Sequence, residues 1–153
     1  HELPHVEASH ADLSARDFIP FKALAGEAMA MSAHVGFTDI DADHPATTSR
    51  RVVEEIIRSE IGFDGLLMSD DVSMNALSGD FATRTSAIFS AGCDVTLHCN
   101  GDRAEMEAVA SVTPVLSDAS LRRAEDAIAA FRTPDDSDEA ALREEFEGLM
   151  AAS

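Results

Sequence analysis

The chain has 153 residues, 45% of them apolar, and a formal net charge of −18 from 29 acidic and 11 basic side chains. That length and apolar share suit one soluble domain with its own core, and so strong a negative charge repels phosphate backbones and anionic lipid, so neither nucleic acid nor a membrane is expected as a partner. No apolar stretch approaches the roughly 18 residues of a membrane span, and no basic segment followed by an apolar run marks a leader.

From the N-terminus, His1 to Val6 reads as a loop and Ala11 to Leu24 as a helix, with no strand in either. The chain starts at His1 rather than Met, so truncation or processing upstream is expected. Ala28 to Val35 is the first of three short, nearly continuous apolar runs; Gly65 to Asp70 and Cys93 to Cys99 are the others. Strands buried on both faces read this way, as in a parallel sheet covered by helices.

Between the first two runs, Ser49 to Ile61 has helical period, with Val52, Val53, Ile56, Ile57 and Ile61 on one face, Ser49 as N-cap and Gly62 as stop. Phe81 to Ala91 follows as a helix with Phe81, Thr85, Ile88 and Phe89 inward and Gly92 closing it. After the third run come helices over Arg103 to Ser111 and Leu121 to Phe131, the latter with Leu121, Ile128 and Phe131 sharing a face. Strands starting roughly 30 residues apart match a βαβ crossover, so the sheet should be parallel, while a closed barrel and an open doubly wound sheet both satisfy the pattern. Residues 1–132 are read as one body. The segment 133–153 opens with Thr133 and Pro134, passes through Asp135, Asp136, Asp138 and Glu139, and is read as an acidic linker with an appended helix carrying Leu142, Phe146 and Leu149.

Cys93 and Cys99 fit neither a disulfide framework nor a C-x-x-C metal site and are expected to be buried, reduced, small apolar side chains, which favours a cytoplasmic setting. His5, His10 and His44 lack metal-ligand spacing and read as surface residues.

In parallel α/β folds ligands bind where the strands end, so His34, the pair Asp70 and Asp71, and His98 with Asn100 are the candidate residues. Adjacent strand residues point to opposite sides, so one of the two aspartates should face the cleft and the other the helix layer, where it can cap the next helix. Chemistry alone leaves catalysis, capping and metal ligation open for this pair. A phospho-accepting receiver module also carries acids at strand ends but needs a lysine after its last strand, and the one lysine here is Lys22.

The fifteen residues from Ile56 to Asp70, ending Gly65-Leu66-Leu67-Met68-Ser69-Asp70, resemble the signature of glycoside hydrolase family 3. Asp71-Val72-Ser73-Met74, Met31-Ser32-Ala33-His34-Val35 and Ala91-Gly92-Cys93-Asp94-Val95, running on to Asn100, are similar to its bacterial β-N-acetylhexosaminidase branch. The resemblance implies a (β/α)8 TIM-type barrel of which this chain holds about the last three βα units. It makes Asp70 the catalytic nucleophile, His34 a substrate-binding wall residue, and Ser69 and Asp71 supports or caps behind the nucleophile. It implies retaining hydrolysis of terminal β-N-acetylglucosamine from cell-wall fragments, with a small carbohydrate as partner, no cofactor and no metal.

In that branch a catalytic His, in a D-S-H pattern soon followed by E-x-P, serves as acid/base. Glu2-Leu3-Pro4 matches the tail of that pattern and His1 the place just after the catalytic His. The acid/base and the first five strands are therefore expected upstream of this chain, as a missing N-terminal barrel portion. A truncated, non-catalytic sugar-binding or scaffold fragment is the competing expectation.

Overall fold

A computed structural model of the chain describes residues 3–132 and 135–151. The matches assigned to His1 and Glu2, and the linker start at Thr133 and Pro134, lie outside the described residues.

The centre is a three-stranded parallel sheet in the order β2-β4-β5, made of Met29–Met31 (β2), Leu66–Asp71 (β4) and Val95–Leu97 (β5). These are the three apolar runs, and their pairing is parallel throughout. Close approach of β2 and β4 depends on Gly65, where a Cβ would sit 2.6 Å from the Glu27 carbonyl. A second, two-stranded parallel sheet joins His5–Val6 (β1) to Gly36–Phe37 (β3). This corrects the loop expected over the first six residues; a strand of two residues is too short to leave a periodic signal. Among the described residues the strands make two separate parallel sheets and do not close into a barrel.

Helices pack against the central sheet. The segment expected as one helix from Ala11 is three pieces: His10–Asp12 (α1), a wider π-type stretch Leu13–Asp17, and Ile19–Ala23 (α2). Pro20 lies in the first turn of α2, where its missing N–H costs no hydrogen bond. Val52–Glu60 also winds with i to i+5 bonding and continues so at its end, where the Ile61 N–H reaches the Ile56 carbonyl at 2.8 Å. Ser49 caps its start through the Val52 N–H at 3.1 Å. Phe81–Ala91 (α3) begins at an Asp80 cap and ends at Gly92, whose φ of 109° suits glycine. Arg103–Val112 (α4), Asp118–Ala129 (α5) and Glu139–Ala151 (α6) complete the chain.

The main core lies between β4, α3 and the Val52–Glu60 helix, around Val53, Leu67, Val72 and Ile88. A smaller one gathers Leu13, Phe18, Ile40, Val52 and Ile56 beneath the N-terminal segment. Burial expectations fail in one strand and one helix. Met29 and Met31 are exposed because β2 is an edge of its sheet among the described residues. Leu121, Ile128 and Phe131 are exposed because α5 turns Ser120, Arg123 and Ala127 inward instead. Ser120 and Arg123 are drawn in by Asp94, which needs hydrogen-bond donors where it is buried.

Asp94 enters β5 at the end of the sheet opposite the strand C-termini. Its carboxylate accepts from Arg58 at 2.7 Å, Arg123 at 3.1 Å, Ser120 Oγ at 2.7 Å and the Leu67 N–H at 2.8 Å. Burial pushes this carboxyl up, but those donors hold it below the ordinary range. Arg58 also donates to the carbonyls of Phe63 and Gly65, so one guanidinium ties the helix, the turn and the sheet together. Among the described residues no helix is long and apolar enough to cross a membrane.

Candidate active site

All three strand-end candidates meet at one end of the sheet. Asp70 and Asp71 close β4, His34 follows β2, and His98, Cys99 and Asn100 follow β5. Register explains how the pair is presented. Met68 pairs with Val95 and Asp71 with Leu97, so Ser69 and Asp70 together stand opposite the single Thr96. An extra residue of this kind bends a strand and re-aims its side chains. Ser69 is fully buried, and its Oγ accepts the Leu97 N–H at 3.1 Å, stitching β4 to β5 at the irregularity.

The two aspartates differ in what they have left to offer. Asp71 accepts from the Ser73 N–H at 3.0 Å and the Cys99 N–H at 3.2 Å on one oxygen, and from Ser73 Oγ at 2.6 Å on the other. Burial raises its pKa, yet these donors and the His98 ring bring it below the ordinary value. Asp70 accepts only the Asp71 N–H, at 2.8 Å on Oδ1, and among the described residues no donor reaches Oδ2. One carboxylate is committed to holding two loops and the other presents a free oxygen. The expected helix-capping role belongs to neither, since Asp80 caps α3 through the Thr83 N–H at 2.8 Å.

His34 is buried with both ring nitrogens taken, Nδ1 by Thr47 Oγ1 at 3.0 Å and Nε2 by the Asp71 carbonyl at 2.9 Å. His98 packs edge-on to Phe81, and its Nε2 meets Glu105 at 2.9 Å. Asn100 Nδ2 donates to the same Glu105 oxygen, which fixes the β5–α4 loop carrying the Cys99 amide. Arg84 donates to the carbonyls of Val72, Met74 and Gly79 and holds the loop after Asp70 in place.

Thr47, Ser73, Arg84 and Glu105 were not among the sequence candidates. Ser73 was detectable from the Asx-turn spacing to Asp71, and Glu105 from its place three residues after Asp102, whereas Thr47 carries no local signal. Cys93 is buried as expected, and burial pushes its thiol up to about 11. Cys99 is exposed, contrary to expectation, because the loop beyond β5 leaves the sheet there. Among the described residues no cluster of His, Cys, Asp and Glu could hold a metal ion.

The sequence model described as "Glycosyl hydrolase family 3 N terminal domain" matches residues 1–130. A beta-hexosaminidase of Pseudomonas aeruginosa is 44% identical over 108 residues, covering 69% of this chain and 32% of that protein. A beta-hexosaminidase of Bordetella avium is 40% identical over 104 residues, covering 65% and 29%. Among solved structures, native NagZ from Neisseria gonorrhoeae superposes with a TM-score of 0.71 at 29% identity, covering 98% of this chain and 43% of that one. The same enzyme is known in complex with N-trifluoroacetyl-D-glucosamine. The β-N-acetylglucosaminidase of Thermotoga maritima gives a TM-score of 0.70 at 27% identity, covering 86% and 32%. The chain thus spans about a third of the length of the curated relatives it matches.

Proposed function

The chain belongs to glycosyl hydrolase family 3, and from that premise we propose that it supplies the nucleophile half of a retaining β-N-acetylhexosaminidase, with Asp70 as the attacking carboxylate. The observation that carries this reading is the asymmetry of the aspartate pair. At the C-terminal end of the central strand, Asp70 alone keeps an oxygen without a partner among the described residues. Asp71, its oxygens committed to Ser73 and Cys99, is a support, and Ser69 a stitch between strands. His34 forms the wall behind the pair.

In the reaction, Oδ2 of Asp70 attacks the anomeric carbon of a terminal N-acetylglucosamine while the bond to the leaving oxygen breaks and that oxygen takes a proton from a general acid. Water then attacks the same carbon, the Asp70 ester bond breaks and the carboxylate returns. The resemblance to the β-N-acetylhexosaminidase branch assigns that general acid to a His in a D-S-H pattern. The fold reading is that the sheet β2-β4-β5 is the last part of a (β/α)8 barrel, with 133–153 an appendage beyond it. The substrate reading is a small N-acetylglucosamine-terminated cell-wall fragment, consistent with the sugar held by the Neisseria enzyme. Two free cysteines fit a reducing, cytoplasmic compartment.

The test is intact mass and peptide mapping of the full-length protein after incubation with a fluorinated N-acetylglucosaminyl fluoride, which traps the glycosyl-enzyme. A label on Asp70 is expected. A folded protein that takes no label would favour a non-catalytic, sugar-binding fragment instead.

A further inference from the structure

His34 is a buried titratable side chain to which hydrolysis itself gives no proton to carry. We infer that His34 is a positioning residue: backed by Thr47 and Ser32, it fixes the backbone of Asp71 and through it aims the carboxylate of Asp70. The inference rests on reading Asp70 as the nucleophile.

Proton directions follow from what each atom can do. A carbonyl oxygen only accepts, so the 2.9 Å contact to the Asp71 carbonyl places the His34 proton on Nε2. Nδ1 of the neutral ring is then an acceptor, and the Thr47 hydroxyl 3.0 Å away donates to it. The Thr47 oxygen in turn receives the Ser32 hydroxyl at 2.9 Å. The relay runs from Ser32 through Thr47 and His34 to Asp71, and its first three members are buried, so water does not substitute for a missing link.

Asp71 is anchored on both sides of its Cα. Its carbonyl is held by His34, its carboxylate by Ser73 and Cys99, and its N–H is spent on Asp70 Oδ1. Fixing the carbonyl and the side chain holds the Asp71 Cα and the position of its nitrogen, which narrows where the N–H can point. That direction sets which Asp70 oxygen is tied down and which is free. A nucleophile displaced by about 1 Å loses much of its rate advantage, so a buried hydrogen-bond relay has a catalytic consequence without touching substrate. With both nitrogens occupied, His34 acts on the sugar through Asp71 rather than by a bond of its own.

Nuclear magnetic resonance on the protein labelled with 15N-histidine and 15N-aspartate tests this without any turnover. Wild-type His34 should carry its proton on Nε2; a proton on Nδ1 alone would overturn the relay. In Thr47→Val, which keeps the side-chain shape and removes the donor, the Asp71 amide, which bonds to Asp70 Oδ1, should exchange with deuterium several-fold faster as that hydrogen bond loosens. Thr47→Ser should restore the wild-type exchange rate. A folded Thr47→Val with unchanged exchange at the Asp71 amide would reduce His34 to a packing role and sink the proposal. Should Thr47→Val not fold, Ser32→Ala, which removes the donor to the Thr47 oxygen, reads the same coupling. A trapped sugar on a residue other than Asp70 would overturn the nucleophile assignment while leaving this coupling measurable, so the two failures are distinguishable.

Discussion

Arg58 and Asp94 stand 36 residues apart in sequence and meet at 2.7 Å where the sheet begins, with the Asp94 side chain 1% exposed. The pair sits at the opposite end of the strands from Asp70, and the division matters for every substitution. Residues at the strand N-termini hold the fold, and those at the C-termini are free to serve chemistry.

Replacing Asp94 by Ala should therefore be among the most damaging single changes. It strands Arg58 and leaves the Leu67 N–H and the Ser120 hydroxyl without their acceptor. Removing one partner of a buried, hydrogen-bonded ion pair costs about 3–5 kcal/mol, read as a fall in the urea midpoint at constant slope. Arg58→Met should cost less, because Arg123 remains on the carboxylate.

The aspartate pair should split cleanly. Asp70→Asn keeps shape and loses an anion that the fold does not use, so stability should stay within about 0.5 kcal/mol while turnover of the full-length enzyme disappears. Asp71→Ala removes the acceptor for Ser73 and Cys99 and should cost about 1–3 kcal/mol, measured by denaturation. Equal loss of activity with unchanged stability in both would refute the division of roles.

Glu60 predicts a specific acid limb. It staples the N-terminal helices to the Val52–Glu60 helix through Ser14, His10 at 2.6 Å and Lys22 at 3.0 Å. The Ser14 hydroxyl first, then His10 and Lys22, work against desolvation and bring its pKa from 4.5 down to about 2. A folded-state pKa below the unfolded one means the contribution is full above the unfolded value and lost as pH falls through the folded one, here from about 4.5 to about 2. Urea midpoints followed across that range should fall less steeply in Glu60→Gln, whose side chain does not titrate.

The cysteines predict a count. Cys99 is exposed and should react with a thiol reagent in the folded state. Cys93, buried and pushed up to about 11, should react only on unfolding. Rapid labelling of both in the native protein would contradict the placement of Cys93 behind β5.

Much of this was legible before the structure. The three apolar runs became β2, β4 and β5, in parallel, because burial on both faces leaves a dense local trace. Asp70 and Asp71 could be placed at a strand end because they terminate the densest run. The inner face of α5 was misread because Leu121 and Ile128 keep helical period while the buried face is chosen by Asp94, a residue in another element altogether. The roles of Thr47 and Arg84 were invisible for the same reason. Each bonds to atoms across the fold, and a hydrogen bond between distant segments leaves no spacing to read.

The Arg58 clamp also separates two timescales. The Leu67 N–H bonds to Asp94 and the Asp94 N–H to the Leu67 carbonyl at 2.9 Å, so these amides are locked beneath the clamp. Their deuterium uptake should require opening of the whole sheet, whereas the Ser73 and Cys99 amides need only a rim loop to part from one carboxylate. The rim can then open on the clock of a loop while the strands keep that of global unfolding.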